Sequence, residues 1–199
     1  MIEGPLQKKL KGHTLILGSA SPRRKMFLEQ LGLEFEVRTK AVEEVYPQEL
    51  QAGEIPEFLA KLKAAPFRGE LGEREILITS DTVVWHQGVS LAKAADRAQA
   101  VQMLQTLSGD WHQVISSVCI TTLEVQKVRT ATTRVRFRQL SREEIEYYVD
   151  GYRPHDKAGA YGIQEWIGLV GIVEIQGSHP NVVGLPTHLL YETLMETLP

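Results

Sequence analysis

Cysteine is almost absent from this chain of 199 residues, since Cys119 stands alone. A single cysteine excludes an internal disulfide, and no grouping of histidines around it has the spacing of a zinc site. Cys119 lies in the apolar run Val118-Cys119-Ile120, so we expect a packed, unreactive thiol. A chain of this length buries roughly 70% of its unfolded surface, and such a fold needs no cross-link.

Long hydrophobic runs and an excess of positive charge are also missing. No segment approaches the length of about 20 apolar residues that a membrane-spanning helix needs, and Met1–Lys11 lacks the apolar core of a signal peptide. We therefore expect a cytoplasmic protein with no membrane partner. The net charge of -3 argues against a duplex nucleic-acid partner, but it leaves room for a ligand with a few phosphates.

Several familiar catalytic patterns are absent as well. The histidines show no HExxH spacing, no Gly-x-Ser-x-Gly nucleophile elbow is present, and the Gly-Lys-Ser/Thr element of a Walker A loop is missing. These absences argue against a zinc protease, a serine hydrolase and a P-loop kinase.

What remains has the composition of a globular domain, with 43% hydrophobic and 24% charged residues. We assign residues 1–12 to a polar, basic N-terminal leader and residues 13–199 to one domain. Helical and strand-like patterns alternate along that domain, which predicts an α/β or α+β fold around one sheet. Strands are predicted at residues 13–18, 33–39, 76–78, 83–85, 114–122, 128–137 and 167–175. Helices are predicted from Ser21-Pro22 to Gly32, over 55–62, from Asp96 to Gly109, from Ser141 to Gly151 and from Pro186 onward.

The segment Gly18–Arg24 links the first predicted strand to the first long helix. Backbone N–H groups at the start of that helix can bind an anion, and Arg23 and Arg24 can add bidentate contacts to phosphate oxygens. Ser19 is better interpreted as a hydrogen-bond donor to phosphate than as a nucleophile. An ordinary helix cap with two solvated arginines is the alternative.

Carboxylates and lysines elsewhere fit the same ligand. Asp81, directly after a predicted buried strand, could bind Mg²⁺ or accept a proton from water, although a turn-forming Asp is the alternative. Glu43-Glu44, Lys63 and Lys93 would by default be solvated surface groups. With no evident nucleophile, this set of residues favours hydrolysis of a phosphoanhydride by metal-activated water.

The segment Asp156–Gln164 is rich in small residues that allow a ligand to approach the backbone closely. The carboxylate of Asp156, the ammonium of Lys157 and the amide of Gln164 offer polar recognition there. A tight structural turn is the alternative.

Taken in this order, the motifs resemble the Maf family of nucleoside-triphosphate pyrophosphatases over nearly the whole chain. The matching residues are Ser19-Ala-Ser-Pro-Arg-Arg24, Glu43-Glu44, Lys63-Ala64, Ser80-Asp-Thr-Val-Val84, Lys93, Met103–Gly109, His112-Gln-Val114, Asp156–Gln164 and Asn181–Pro186.

The resemblance implies an α/β fold similar to the inosine-triphosphate pyrophosphatases, with an elongated central mixed sheet flanked by helices and two lobes with a cleft. It also implies hydrolysis of a nucleoside triphosphate to the monophosphate and pyrophosphate with a divalent cation such as Mg²⁺, Mn²⁺ or Co²⁺. The catalytic residues would be Asp81, as the base, and Glu44. Asp81 and Glu44, with Glu43 beside it, would also hold the metal. The residues that would bind the triphosphate are Ser19, Arg23, Arg24, Lys63 and Lys93.

The resemblance also bears on the choice of base. Arg23, Thr82 and Gln164 match the positions that the family uses for it, and Tyr161–Gln164 resembles the branch acting on dTTP and UTP. A side-chain amide suits the imide edge of such a pyrimidine, because it donates and accepts at once. Modified pyrimidine nucleotides are expected substrates too, and a homodimer is a further expectation.

Some residues depart from the family pattern. Ser80 replaces the usual alanine, Ala92 and Ala94 flank Lys93 where Gly or Glu and then Pro are common, and Glu165 follows Gln164 where Gly is common. The alternative function is a nucleotide-binding regulator of cell division and septum formation, with little or no turnover.

Overall fold

The computed structural model describes residues 3–198 and has the predicted alternation of strands and helices. The strands are β1 (Thr14–Leu17), β2 (Glu36–Val37), β3 (Glu75–His86), β4 (Val89–Leu91), β5 (Trp111–Thr121), β6 (Gln126–Phe137) and β7 (Ile172–Gln176). The helices are α1 (Pro5–Lys9), α2 (Pro22–Gln30), α3 (Glu54–Ala64), α4 (Arg97–Leu107), α5 (Arg142–Tyr152), α6 (Trp166–Gly171), α7 (His179–Val183) and α8 (Thr187–Thr197).

Hydrogen bonding orders the strands as β2-β1-β3-β5-β6-β7, with β4 added to β3. β1 pairs in parallel with β2 and β3, while β4 and β7 pair antiparallel with β3 and β6. The sheet is therefore mixed, and the predicted α/β class is confirmed. Of the described residues, no helix has the length and apolar character needed to cross a membrane.

The described chain divides into two compact units, and β3, β5 and β6 each contribute residues to both. The first unit comprises residues 3–81, 116–131 and 184–198, and the second comprises Thr82–Ile115 and Thr132–Val183.

In the first unit, side chains of β1, β3 and β5 pack against α3. Ile16, Leu77 and Cys119 are fully buried in one cluster with Ala60 and Ala64. The prediction of a packed Cys119 is therefore confirmed. Burial raises the pKa of its thiol, which keeps it protonated.

The predicted leader contains α1, which also belongs to the first unit. Its Leu6 is buried, and the ammonium of Lys9 donates to the carbonyls of Met195 and Leu198 at 3.1 Å each. Residues 1 and 2 of the predicted leader lie outside the described part of the chain.

In the second unit, α4 packs against α5, and the helix boundaries follow the predicted caps. The side chain of Asp96 accepts from the N–H of Gln99, and Ser141 and Glu144 form a capping box. A bidentate ion pair between Arg97 and Asp150 joins the two helices.

Two strand predictions were wrong in extent. Residues 33–39 alternate in polarity, but only Glu36 and Val37 pair with β1. Leu33 instead closes the end of α2, because its N–H donates to the carbonyl of Leu28. Residues 167–175 begin as α6 rather than as a strand. The carbonyl of Glu165 accepts from the N–H groups of Gly168 and Leu169, which starts a helical turn, and the strand begins only at Ile172.

The prediction of separate strands at 76–78 and 83–85 was also wrong, because β3 continues through Ser80-Asp81-Thr82. Thr79, the polar residue before this segment, keeps a hydrogen bond although it is buried, because its hydroxyl donates to the carbonyl of Ala60 at 2.7 Å. Asp81 therefore lies within a strand and not in a turn after one.

Candidate active site

The position of Asp81 follows from the alternation of side chains along β3. Thr79 and Asp81 are two residues apart and so lie on the same face of the strand, which Thr79 attaches to Ala60 of α3. Lys63 lies three residues after Ala60 on that helix, and residues at this spacing share a helix face. Strand and helix periodicity together bring the Asp81 carboxylate to the Lys63 ammonium.

Lys63 lies between two carboxylates of the first unit. Its Nζ is 2.5 Å from Oδ1 of Asp81 and 3.1 Å from Oε1 of Glu44. The side chain of Asp81 is 8% exposed and that of Glu44 is 43% exposed, so the two acids differ in contact with water. Burial raises the pKa of Asp81, and the charges of Lys63 and Arg24 oppose that rise.

The segment between β1 and α2 begins beside the same part of β3. β1 ends at Leu17, opposite Ile78, and the N–H of Gly18 donates to the carbonyl of Ile78 at 2.8 Å. Ser21 is the N-cap of α2 and Pro22 its first residue, as predicted. Because pairing with β1 stops three residues before Asp81, the Ser19 segment leaves the sheet near that carboxylate.

Ser19 and Arg24 form a polar pair at the start of α2. The hydroxyl of Ser19 accepts from Nη1 of Arg24 and from the N–H of Ser21, each at 3.2 Å, while Nε of Arg24 donates to the carbonyl of Gly184 at 3.0 Å. Burial lowers the pKa of the Arg24 guanidinium, and the charge of Asp81 opposes that effect. Neighbouring Arg23 is half-buried. This first unit thus offers positive charge to an anion.

The donor set in this unit suits one type of metal site. Two carboxylates already share one cation, the ammonium of Lys63, and among residues 3–198 no group of three or more His, Cys, Asp or Glu residues could hold an ion. Mg²⁺ commonly binds one or two carboxylates and keeps water and substrate phosphates as its other ligands. Asp81 and Glu44 fit that pattern, whereas an all-protein cage does not fit. Glu43 is exposed.

The remaining predicted residues belong to the second unit. Thr82 is half-buried in β3, and Lys93 and Gln164 are exposed. Lys93 forms an isolated antiparallel bridge with Ala158, and the N–H of Gly159 donates to the carbonyl of Leu91 at 2.9 Å. These contacts attach the backbone of Lys93 to the Asp156–Gln164 segment in the absence of the flanking proline.

The Asp156–Gln164 segment is anchored by a buried aromatic cluster. The hydroxyl of Tyr161 lies 2.6 Å from Nε2 of His112, and the rings of both residues contact Phe137. Burial raises the pKa of Tyr161, so its hydroxyl stays protonated. Gly159 has a φ of +67°, which only glycine adopts without strain. The contacts of Tyr161 with His112 and Phe137 therefore hold the backbone that carries Gln164.

Two further polar residues at this segment were not among the predicted site residues. Tyr148 is a buried residue of α5, and Glu165, which contacts it, was noted only as a departure from a family pattern. No motif in the sequence marks Tyr148, so only the fold reveals what its hydroxyl binds.

Comparison with known proteins gives one family. The family model for Maf-like proteins matches residues 14–197. A protein of Flavobacterium johnsoniae named dTTP/UTP pyrophosphatase is 51% identical over 189 residues, which covers 95% of this chain and 97% of the relative. A protein of Bacteroides fragilis with the same name is 50% identical over 188 residues, covering 94% and 97%. The solved structure of the Staphylococcus aureus Ham1 protein matches the fold with a TM-score of 0.53 at 18% identity, covering 92% of this chain and 99% of that one.

Proposed function

Because the chain belongs to the Maf family, we propose that it hydrolyses nucleoside triphosphates to the nucleoside monophosphate and pyrophosphate. We propose dTTP and UTP as the substrates, together with modified pyrimidine nucleotides, since relatives about half identical to this chain carry the name dTTP/UTP pyrophosphatase. The observation that carries the proposal is the buried carboxylate of Asp81, held against Lys63 in the same unit as Arg24 and Glu44.

Asp81 accepts the proton of the attacking water. The oxygen of that water bonds to the α-phosphorus, the bond from this phosphorus to the oxygen that bridges the α- and β-phosphoryl groups breaks, and pyrophosphate leaves with the bridging oxygen. A carboxylate whose pKa burial has raised is a stronger base than an exposed one, and general bases of this kind contribute about 10²–10⁴-fold to rate. Glu44 is the second carboxylate beside it.

Lys63 changes partner when the triphosphate binds. In the structure its ammonium binds both carboxylates, and the oxygens of a triphosphate would compete for it. Transfer of that ammonium to phosphate leaves Asp81 able to accept a proton. Ser19, Arg23, Arg24 and Lys93 provide further donors and positive charge for the triphosphate, and positive charge stabilises the leaving pyrophosphate.

Asp81 and Glu44 would hold the divalent cation, Mg²⁺, Mn²⁺ or Co²⁺. When bound, such a cation supplies a Lewis acid that neutralises phosphate charge and lowers the pKa of water. The half-exposed position of Glu44 leaves it accessible to an ion entering from solvent.

Gln164, Thr82 and Arg23 select the nucleobase of the substrate. The amide of Gln164 can donate to a carbonyl oxygen and accept from the N–H of an imide edge, which thymine and uracil both present. We also propose that the protein acts in the cytoplasm. We propose that it forms a homodimer, and light scattering of the purified protein tests this assembly.

One assay tests the proposed reaction. Purified protein is incubated with each of dTTP, UTP, CTP, ATP and GTP in the presence of Mg²⁺, Mn²⁺ or Co²⁺, and the monophosphate, pyrophosphate and orthophosphate are quantified. We expect pyrophosphate and monophosphate in equal amounts, fastest with dTTP and UTP. Release of orthophosphate in place of pyrophosphate would contradict the proposal, and nucleotide binding without turnover would favour the regulatory alternative.

A further inference from the structure

Glu165 is bound by polar groups from two other parts of the second unit. Nζ of Lys157 lies 3.1 Å from its Oε1, and the hydroxyl of Tyr148 in α5 donates to its Oε2. Both partners are buried, Tyr148 completely and Lys157 to 9% exposure. Each oxygen of this carboxylate therefore has its own partner.

Tyr148 connects this carboxylate to the backbone beside Gln164. Its hydroxyl donates to Glu165 and at the same time accepts from the N–H of Gly162 at 3.0 Å. The N–H of Glu165 also donates to the carbonyl of Gly162 at 3.0 Å, which closes a tight turn around Gln164. The two residues flanking the Ile163-Gln164 pair are thus fixed relative to one another.

The side chains of Gln164 and Glu165 both lie over Gly162. A Cβ atom at Gly162 would be 2.9 Å from Cδ of Glu165 and 3.1 Å from Nε2 of Gln164. Gln164 is exposed, so little packing restricts its amide apart from this turn. The ends of both side chains therefore lie within 3.1 Å of the same point, which makes the Glu165 carboxylate and the Gln164 amide neighbours over Gly162.

We propose that Tyr148, Lys157 and Glu165 are positioning residues that aim the amide of Gln164 at the base of the substrate and so set the choice between nucleobases. The inference rests on the proposed function, since it concerns how that function selects its substrate. Recognition by an amide depends on its direction, because a rotated amide exchanges donor for acceptor. Neither Tyr148 nor Glu165 needs to contact the nucleotide to have this effect.

Tyr148→Phe and Glu165→Gln test the proposal. Phenylalanine keeps the ring but leaves the N–H of Gly162 without its acceptor, and glutamine keeps the size but places an amide NH₂ against one of two donors. UTP and CTP are the matched substrates, because they differ only at the base edge. We expect the ratio of kcat/KM for UTP to that for CTP to fall about tenfold, the equivalent of one hydrogen bond. The change should appear in the KM for UTP with kcat nearly constant.

Tyr147→Phe is the control, since Tyr147 is exposed and its ring contacts Trp166. It should leave the ratio unchanged. The two test variants are also combined with Gln164→Ala. If Tyr148 and Glu165 act through Gln164, neither adds to the loss of selectivity that Gln164→Ala causes alone.

The outcomes separate the two proposals. Hydrolysis by the wild type with an unchanged UTP/CTP ratio in both variants would overturn the positioning role alone, and so would losses that add to that of Gln164→Ala. A wild type that releases no pyrophosphate from any nucleotide would overturn the proposed function and this inference with it. Should one variant fail to fold by circular dichroism, the other decides the result.

Discussion

His112 makes the stability of this protein sensitive to acid in a predictable range. This side chain belongs to a residue that is only 2% exposed, and its Nε2 lies 2.6 Å from the hydroxyl of Tyr161. Among the described residues, its Nδ1 has no hydrogen-bond partner. Burial lowers the pKa of this histidine to about 3, with a smaller contribution from the charge of His86. The folded protein therefore keeps His112 neutral at any pH near neutrality.

The direction and size of the effect follow from linkage. In the unfolded chain the histidine has an ordinary pKa of about 6.5, so between pH 6.5 and about 3 the unfolded state binds a proton that the folded state does not. The stabilisation from neutral His112 is complete above pH 6.5 and decreases as the pH falls. Each pH unit below 6.5 costs about 1.4 kcal/mol, so a change from pH 7 to pH 5 costs about 2 kcal/mol.

Urea unfolding at pH 7 and pH 5 measures this term. We compare the wild type with His112→Gln, which retains an acceptor for the Tyr161 hydroxyl but does not titrate. The wild type should lose about 2 kcal/mol more in free energy of unfolding than the variant over this range. Other acid-sensitive groups are present in both proteins and cancel in the difference. Equal losses in the two proteins would refute the assignment of a buried, neutral His112.

Three further changes test separate parts of the structure. Gln164→Ala should reduce discrimination among nucleobases more than the best rate, and an unchanged substrate profile in the panel assay would remove Gln164 from that role. Gly168→Ala would place a Cβ 1.8 Å from the carbonyl oxygen of Ile163. The free energy of unfolding should therefore fall by about 1–3 kcal/mol or more, and an unshifted urea midpoint would contradict this packing. Glu144→Gln should remove a stabilisation present above pH 4.5 and lost as the pH falls towards about 2, because the hydrogen bond from Arg138 and the cap lower the pKa of Glu144. Calorimetric unfolding at pH 7 and pH 3 measures that loss, and an equal pH dependence in both proteins would contradict it.

Local patterns in the sequence predicted most helix boundaries. Ser21-Pro22, Asp96 and the Ser141–Glu144 capping box each lie where the structure begins a helix. These boundaries depend on hydrogen bonds within a few residues, so a short stretch of sequence contains the necessary information.

Contacts that the predicted patterns did not include decided the predictions that were wrong. Thr79 stays in β3 because α3 supplies the carbonyl of Ala60, and no local pattern indicates that acceptor. Residues 167–171 form α6 because Gly168 fits closely against the carbonyl of Ile163, a contact that apolar character alone did not indicate.

Only part of the candidate site, too, could be predicted from the sequence. The motifs identified Asp81, Glu44 and Lys63 as candidates, but the ion pairs among them depend on how β3 faces α3. Tyr148 and Glu165 carried no motif, since their relation to Gln164 exists only through the turn at Gly162.

Turnover by Asp81→Asn tests the central claim most directly. Ser80→Ala is the matched control, because Ser80 is the adjacent buried residue on the opposite face of β3. Pyrophosphate release from dTTP in the presence of the divalent cation, and nucleotide affinity by calorimetry in its absence, are measured for both variants. We predict that Asp81→Asn lowers kcat by about 10²–10⁴-fold with affinity nearly unchanged, while Ser80→Ala keeps wild-type activity. Wild-type turnover by Asp81→Asn would contradict the assignment of Asp81 as the base.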